Sequence, residues 1–277
     1  MKNTALLAVS VMEYWCRYFS NRRFPRDQEY YVVYTNLDHS IPFQMDPALN
    51  YWLINFKFLP TLLKLGNTSP DERFKNIRHA YLALVRLGVS TFGEVPTIMP
   101  HFGEYYGIPF LARSLLKPIN CSPSLHTAAP LFVYNLGAKY FPEEEPELRR
   151  HIGDIVSTVI KTKKHAMIDI ACGMFLCRRI IEEELGLEFQ TLEAFFIQEQ
   201  KARDNIPYEH VFRMYRDINE LAKTKAGNEA NLPEVMGGYF QEIGLPRIKR
   251  EQSNCFYDLD KKALIYPPEL KLGKGLF

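Results

Sequence analysis

Two short segments hold the residues whose types and spacing could do chemistry. The later segment runs from Thr162 to Asp169 and contains His165 four residues before the aspartate. On a helix, residues four apart share one face, so the carboxylate can accept a hydrogen bond from one imidazole nitrogen. The other nitrogen is then available as a nucleophile. The same spacing often occurs by chance, and a satisfied core histidine is the alternative interpretation.

Three lysines, Lys161, Lys163 and Lys164, stand just before His165. Ammonium groups stabilise phosphoryl oxygens while negative charge moves toward a leaving group. We therefore predict that Lys163 and Lys164 bind a phosphate group. A solvated helix face would explain the same run of charges.

The earlier segment, Cys121–His126, has the composition of a helix start. Ser122 and Ser124 flank Pro123, and the free N–H groups at a helix N-terminus attract anions. We predict that Ser124 contacts phosphate at this position. His126 would lie about one turn inside the helix, where it could protonate a departing alkoxide.

The two segments together resemble a known pair of motifs. P-S-L-H at 123–126 is followed by T-K-K-H-x-x-x-D at 162–169, and the second histidine comes 39 positions after the first. This pair is similar to the motifs of the type 2 phosphatidic acid phosphatase superfamily, in the branch of inositol phosphorylceramide synthases and their bacterial relatives. The stretch Leu37–Phe43 resembles the L-D-x-x-I-P-F sequence of the same branch. The resemblance spans roughly residues 35 to 180.

The resemblance implies a fold, a mechanism and a set of roles. It implies an all-α helical bundle like that of the acid phosphatases and vanadium haloperoxidases. In the family the histidine at the position of His165 attacks phosphorus, the aspartate at Asp169 orients it, and the histidine at His126 protonates the leaving oxygen; no metal is needed. The family's K-x(6)-R-P motif is not present here, and Arg113 and Lys117 are candidates for its cations.

Composition limits the other possibilities. The net charge of +2 gives no electrostatic case for nucleic acid as a partner. The five cysteines show no zinc-site spacing and are expected to be free thiols in the cytoplasm. Charges interrupt nearly every apolar run well before the about 20 residues that a transmembrane helix needs. The longest charge-free stretch, Pro118–Ala138, contains two Asn, two Ser, His126 and three Pro, so we expect no transmembrane helix. Contact with the periphery of a membrane, and the oligomeric state, stay open.

Apolar residues recur at helical spacing along most of the chain, and few segments resemble strands. Ser69, Pro70 and Glu72 predict a capped helix that ends at about Gly88. Similar spacing predicts helices at Ala5–Tyr18, Pro47–Leu65, Pro123–Tyr140, Leu148–Lys161, Ala166–Glu184, 191–203, 208–223 and 232–242. We predict one domain over residues 1–277, with a motif-bearing core at about 35–180, a helical extension at about 188–250 and an irregular tail at 251–277.

These observations predict a metal-independent phosphatase or phosphotransferase that works through a phosphohistidine. Its substrate would be an amphiphilic phosphate or diphosphate ester, such as a prenyl or lipid phosphate. Three alternatives stay open: a terpene-forming lyase that uses diphosphate departure, a vanadium haloperoxidase, and a non-catalytic phosphate-binding or scaffold protein. No cofactor is expected, except vanadate under the haloperoxidase alternative.

Overall fold

The computed structural model describes most of the chain from the first strand to the end of the last long helix. The predicted helix Ala5–Tyr18 and the first part of the one predicted from Pro47 lie outside the described residues. The described parts are residues 28–42, 44, 57–98, 101–102, 122–226, 231–249, 254–258 and 263–265.

Helices make up most of the described chain, which confirms the predicted all-α class. Three short helical pieces follow one another over residues 193–204, and the middle piece, Phe196–Gln200, is a π-helix. The other helices are α1 Asn36–Ser40, α2 Leu59–Thr68, α3 Asp71–Glu94, α4 Leu125–Tyr140, α5 Glu145–Lys161, α6 Met167–Leu185, α7 Tyr208–Ala226 and α8 Leu232–Glu242.

The predicted start of α3 is wrong by one residue. Ser69 does not cap this helix; its N–H donates to the Leu65 carbonyl at 3.0 Å and closes the last turn of α2. Pro70 is the N-cap, and its carbonyl accepts the first hydrogen bond of α3, from Phe74 at 2.9 Å. Because only Ser69 and Pro70 join the two helices, Ser69 is needed to end the first and cannot begin the second.

Two small three-stranded sheets accompany the helices, and neither was predicted. The first places β1 (Glu29–Val32) between β2 (Thr97–Ile98), which is parallel to it, and β4 (Arg247–Lys249), which is antiparallel. Its signal in the sequence is the aromatic and β-branched run at residues 30–34, a composition typical of strands. The second sheet has the order β3-β5-β6, formed by His101–Phe102, Asn254–Asp258 and Ala263–Ile265. Part of the segment predicted as an irregular tail is therefore a β-hairpin.

Helix α4 lies in the centre of the bundle. It carries no charged residue before Lys139, and its side chains are buried on nearly every side from Leu125 to Gly137. A helix that is apolar all round must be enclosed by other elements, and α3, α5 and α6 surround it. The first turn of α4 and the start of α6 therefore meet inside the bundle. Of the helices that the structure describes, none has the length and apolar character needed to cross a bilayer.

Candidate active site

The two motif histidines are in direct contact. His126 lies in the first turn of α4, and His165 lies in the turn between α5 and α6. His126 Nδ1 is 3.0 Å from His165 Nε2, a hydrogen-bond distance. Both side chains are nearly enclosed, at 6% and 7% exposure. The fold therefore brings together two residues that are 39 positions apart.

Asp169 lies on the other side of His165. Its Oδ2 is 3.5 Å from His165 Nδ1 and accepts a hydrogen bond of 2.9 Å from the Ala166 N–H. Asp169 is in the first turn of α6, so the second contact also caps that helix. A carboxylate fixed by a backbone N–H beside the ring can orient the imidazole, although the 3.5 Å separation from Nδ1 is longer than the hydrogen bond that the H-x-x-x-D spacing predicted.

This geometry favours one arrangement of protons. When Nδ1 of His165 carries the proton that faces Asp169, Nε2 of the neutral ring holds a lone pair. The proton in the contact between the histidines then belongs to Nδ1 of His126, which donates to His165. In this arrangement His165 Nε2 accepts the hydrogen bond between the two rings, and His126 Nδ1 donates it.

Complete burial changes the acidity of Asp169. Loss of solvent raises the pKa of its carboxyl to about 8, against the opposing effects of the Ala166 N–H and the Ser122 hydroxyl. Ser122 lies beside the carboxylate, but neither its Oγ nor Asp169 Oδ1 makes a hydrogen bond of normal geometry with a described residue. Burial therefore keeps the proton on Asp169 to a higher pH than on an exposed carboxyl group.

The end of α5 sets the position of His165. The N–H of Lys163 donates to the Ile160 carbonyl at 3.0 Å, and that of Lys164 donates to the Val159 carbonyl at 2.9 Å. These two bonds form a Schellman cap, in which the residue at Lys163 takes a left-handed conformation, here with φ 54°. The His165 N–H also donates to the Val159 carbonyl, at 3.1 Å. The histidine is thus attached directly to the end of a buried helix.

The prediction that Lys163 binds phosphate requires a correction. Its side chain is 2% exposed, and Nζ donates to the carbonyls of Asp38 at 2.5 Å and Ile41 at 2.6 Å. Burial lowers the pKa of the ammonium group to about 8, and the nearby Asp38 opposes this shift. The left-handed backbone at Lys163 turns the side chain inward, so its charge serves internal contacts instead of a substrate.

The remaining predicted phosphate ligands differ in placement. Ser124 is fully buried; its N–H donates to the Asp169 carbonyl at 3.0 Å, and its Oγ accepts from Thr127 Oγ1 at 3.1 Å. It therefore joins the two motif segments, and its contact with phosphate stays a prediction. Lys164 is half-buried, and its predicted role also stays open. The predicted cations Arg113 and Lys117 lie outside the described residues.

Asp38 lies in the stretch Leu37–Phe43 that resembles the L-D-x-x-I-P-F sequence, but no role was predicted for it. The structure buries it completely, and its Oδ1 accepts a 2.8 Å hydrogen bond from the Met167 N–H at the start of α6. Its Oδ2 accepts from the Thr35 N–H at 2.9 Å and from Thr35 Oγ1 at 2.8 Å. The only signal in the sequence was the pairing of Thr35 with Asp38 three residues later, which is typical of a helix start.

Gly173 allows α6 to approach the start of α4. A Cβ atom at this position would lie 2.6 Å from the Ser124 backbone oxygen. We therefore expect Gly173→Ala to push the two motif segments apart and to lower the free energy of unfolding by about 1–3 kcal/mol, the usual cost of overpacking. Thermal denaturation should show the loss. Gly93→Ala is the matched control, because its Cβ would meet nothing within 4 Å; an equal loss in both variants would contradict the proposed contact.

Comparisons of the chain with protein-family models, with curated proteins and with solved structures gave no match. Within the described ranges, no group of three or more His, Cys, Asp or Glu side chains is arranged to hold a metal ion. Proposals about function therefore depend on the geometry of the site and on the motifs.

Proposed function

We propose that this protein is a metal-independent phosphatase or phosphotransferase that forms a phosphohistidine on His165. The observation that carries the proposal is the buried chain of contacts from His126 through His165 to Asp169. An oriented imidazole whose Nε2 carries a lone pair, beside a second imidazole that can donate a proton, supplies both a nucleophile and a general acid. The motifs extend the proposal to an amphiphilic phosphate or diphosphate ester as substrate.

The first chemical step transfers the phosphoryl group to the protein. His165 Nε2 forms a bond to phosphorus while the bond between phosphorus and the leaving oxygen breaks. Protonated His126 gives its Nδ1 proton to that oxygen. The leaving group is an alcohol or, when the substrate is a diphosphate ester, the corresponding monophosphate ester. Asp169 stabilises the positive charge that develops on the His165 ring.

The second step returns the protein to its starting state. Neutral His126 now takes a proton from water or an alcohol, whose oxygen attacks phosphorus. The bond between phosphorus and His165 Nε2 breaks, and the electron pair returns to the imidazole. Inorganic phosphate or a new phosphate ester leaves, and His126 is protonated again.

Substrate must replace the direct contact between the imidazoles. A nucleophile ready for attack lies about 3–3.5 Å from the reacting atom, and the acid needs a further hydrogen-bond length of about 2.7 Å to reach the leaving oxygen. Both lengths cannot fit within the observed 3.0 Å. Because the histidines are on different elements, rotation of their side chains can open the space.

Turnover with a panel of esters tests this proposal. Phosphate and diphosphate release would be measured from prenyl diphosphates, lipid phosphates and p-nitrophenyl phosphate, in the presence of a chelator. We expect release from at least one amphiphilic ester, together with an acid-labile phosphoryl group on His165 in protein quenched during turnover. Release that stops when the chelator is added would contradict the metal-independent mechanism.

The placement of Lys163 favours one second candidate, a protein that binds phosphate without turning it over. With that ammonium group on backbone carbonyls, a cation predicted to stabilise the transition state is missing. Titration calorimetry with phosphate and vanadate distinguishes the candidates. Binding without release from any ester in the panel would support the binder.

The role of His126 as an acid predicts a dependence on the leaving group. We expect His126→Gln to slow the release of alkyl phosphates by about 10²–10⁴-fold, the usual contribution of general acid catalysis, because glutamine can donate a hydrogen bond but cannot transfer the proton. Release of p-nitrophenolate, which needs little protonation, should fall much less. Rates across a series of leaving groups provide the measurement, and an equal loss for all of them would rule out the acid role.

A further inference from the structure

The segment that contains α1 binds the backbone on both sides of His165. Two residues before the histidine, Lys163 donates to the carbonyls of Asp38 and Ile41. Two residues after it, the Met167 N–H donates to Asp38 Oδ1. His165 thus lies in a five-residue turn whose ends are both attached to the same short segment, more than a hundred residues earlier in the chain.

The Asp38 side chain is itself rigidly held. Its second oxygen accepts both hydrogen bonds that Thr35 can offer, from N–H and Oγ1. The Asp38 carbonyl also accepts from the Tyr34 hydroxyl at 3.3 Å. Tyr34 lies two residues after the end of β1 and is fully buried. Hydrogen bonds through Asp38 therefore connect the end of this strand to the start of α6.

A further backbone contact extends the same attachment. The Gln44 N–H donates to the Lys161 carbonyl at 3.0 Å, at the last residue of α5. The end of α5, the turn and the start of α6 are thus each bound by residues between 38 and 44. A stretch that only filled space would not need to place donors and acceptors at each of these points.

We infer that Asp38 and Lys163 are positioning residues for His165: together they fix the turn from 163 to 167 so that the imidazole meets both His126 and Asp169. Neither residue needs to touch substrate. The inference rests on the proposed function only for its effect on turnover, because the effect on the geometry of His165 can be measured without any substrate.

A role in stability alone would explain the same burial, and the two roles predict different results. Loss of a structural contact lowers the melting temperature and leaves the folded fraction with a normal site. Loss of a positioning contact also changes the folded protein, because a nucleophile misplaced by about 1 Å can lose roughly 10²-fold in rate. The readout must therefore report on His165 in protein that is still folded.

Asp38→Asn is the first variant, and Ser40→Ala is its matched control. Asparagine places an NH₂ group against a donor of either Thr35 or Met167, so one of the contacts must break. Ser40 lies on the same short helix, and its hydroxyl donates only to the local Leu37 carbonyl at 2.7 Å. Both proteins would be labelled with ¹⁵N-histidine and compared by NMR at temperatures where circular dichroism shows them folded.

We expect the imidazole ¹⁵N resonances of His165 to shift in Asp38→Asn and to keep wild-type values in Ser40→Ala. Where the wild type turns over a substrate, kcat of Asp38→Asn should fall by roughly 10–100-fold, the range found when residues that orient catalytic ligands are lost, with KM little changed. Wild-type resonances and wild-type kcat in folded Asp38→Asn would overturn the inference. Absence of turnover in the wild type would refute the proposed function. The NMR comparison alone would then decide whether Asp38 positions His165.

Lys163→Met provides a second test from the other side of the turn. It keeps the length of the side chain but removes the donors to both carbonyls. If the two residues act as one unit, the double variant with Asp38→Asn should have the kcat of the slower single variant, because effects of residues that act together do not add. Multiplied effects would overturn the idea of a single unit. Thr35→Val, which weakens the support of Asp38 without changing charge, replaces Asp38→Asn if that variant does not fold.

Discussion

Replacing His165 with alanine is expected to abolish phosphate release from every ester that the wild type accepts. In the proposed mechanism the imidazole Nε2 forms the bond to phosphorus, and in the described structure it lies 3.0 Å from His126, with Asp169 on the other side of the ring. Alanine leaves no nucleophile, so the remaining groups can only assist direct attack by water. Loss of a nucleophile that works with a base and an orienting carboxylate typically costs about 10⁶-fold in kcat. Inorganic phosphate release under saturating substrate is the measurement.

His79→Ala is the matched control for this variant. The side chain of His79 is 73% exposed on α3 and lies 3.7 Å from Glu184, so its loss should leave turnover unchanged. Both variants should keep the wild-type circular dichroism spectrum. A His165→Ala protein that keeps the wild-type rate, or a phosphoryl label that appears on it, would refute the phosphohistidine.

The second large effect is expected for Asp169→Asn. The oxygen that faces His165 Nδ1 also accepts the hydrogen bond from the Ala166 N–H, so the amide keeps its oxygen there and places its NH₂ group where Oδ1 stood. The neutral amide lacks the negative charge that would stabilise the positive ring formed when Nε2 bonds to phosphorus. Where a comparable aspartate was replaced by asparagine in a catalytic triad, kcat fell by about 10⁴-fold. We expect a loss of about 10²–10⁴-fold here, measured as kcat with the substrate used for His165→Ala.

The pH profile separates this role from a structural one. Burial raises the pKa of Asp169 to about 8, so below that pH the carboxyl is increasingly protonated and stabilises the charged ring less. Activity of the wild type should rise as pH increases toward 8, and Asp169→Asn should lack that rise. Asp217→Asn, a loss of the same charge on an exposed part of α7, should retain it. The same rise in all three proteins would show that another group titrates.

Much of the helical architecture could be predicted from apolar spacing. The structure ends α5 at Lys161 and begins α7 at Tyr208, in agreement with the predicted boundaries. The predicted start of α3 was wrong because a capping motif is a local pattern. Ser69 caps the end of the preceding helix α2, so it does not cap the start of α3. The central strand β1 was missed because no element was assigned to the aromatic and β-branched run at residues 30–34.

The candidate site, like the fold, could be predicted from the sequence only in part. The contact among His126, His165 and Asp169 follows from two local motifs, each at a helix start, once the fold brings those starts together. The burial of Lys163 does not follow, because three clustered lysines indicate a surface, and nothing local reveals that one of them adopts φ 54°. The acceptor of its ammonium group is supplied by a distant segment, so only the tertiary structure could identify it.

The attachment of the histidine turn to the segment around α1 also determines when and where the site can exist. Asp38 and Lys163 are separated by 125 residues, and closing a loop of that length costs chain entropy that contacts within a helix do not. The two histidine motifs therefore cannot form this site without the segment around α1. A shorter chain that began after Ile41 would keep both histidines and the aspartate, but it would leave the Lys163 ammonium group in the interior without its carbonyl acceptors. The part of the chain needed for the proposed chemistry therefore extends back to α1, and it is far larger than the motifs from which the site was predicted.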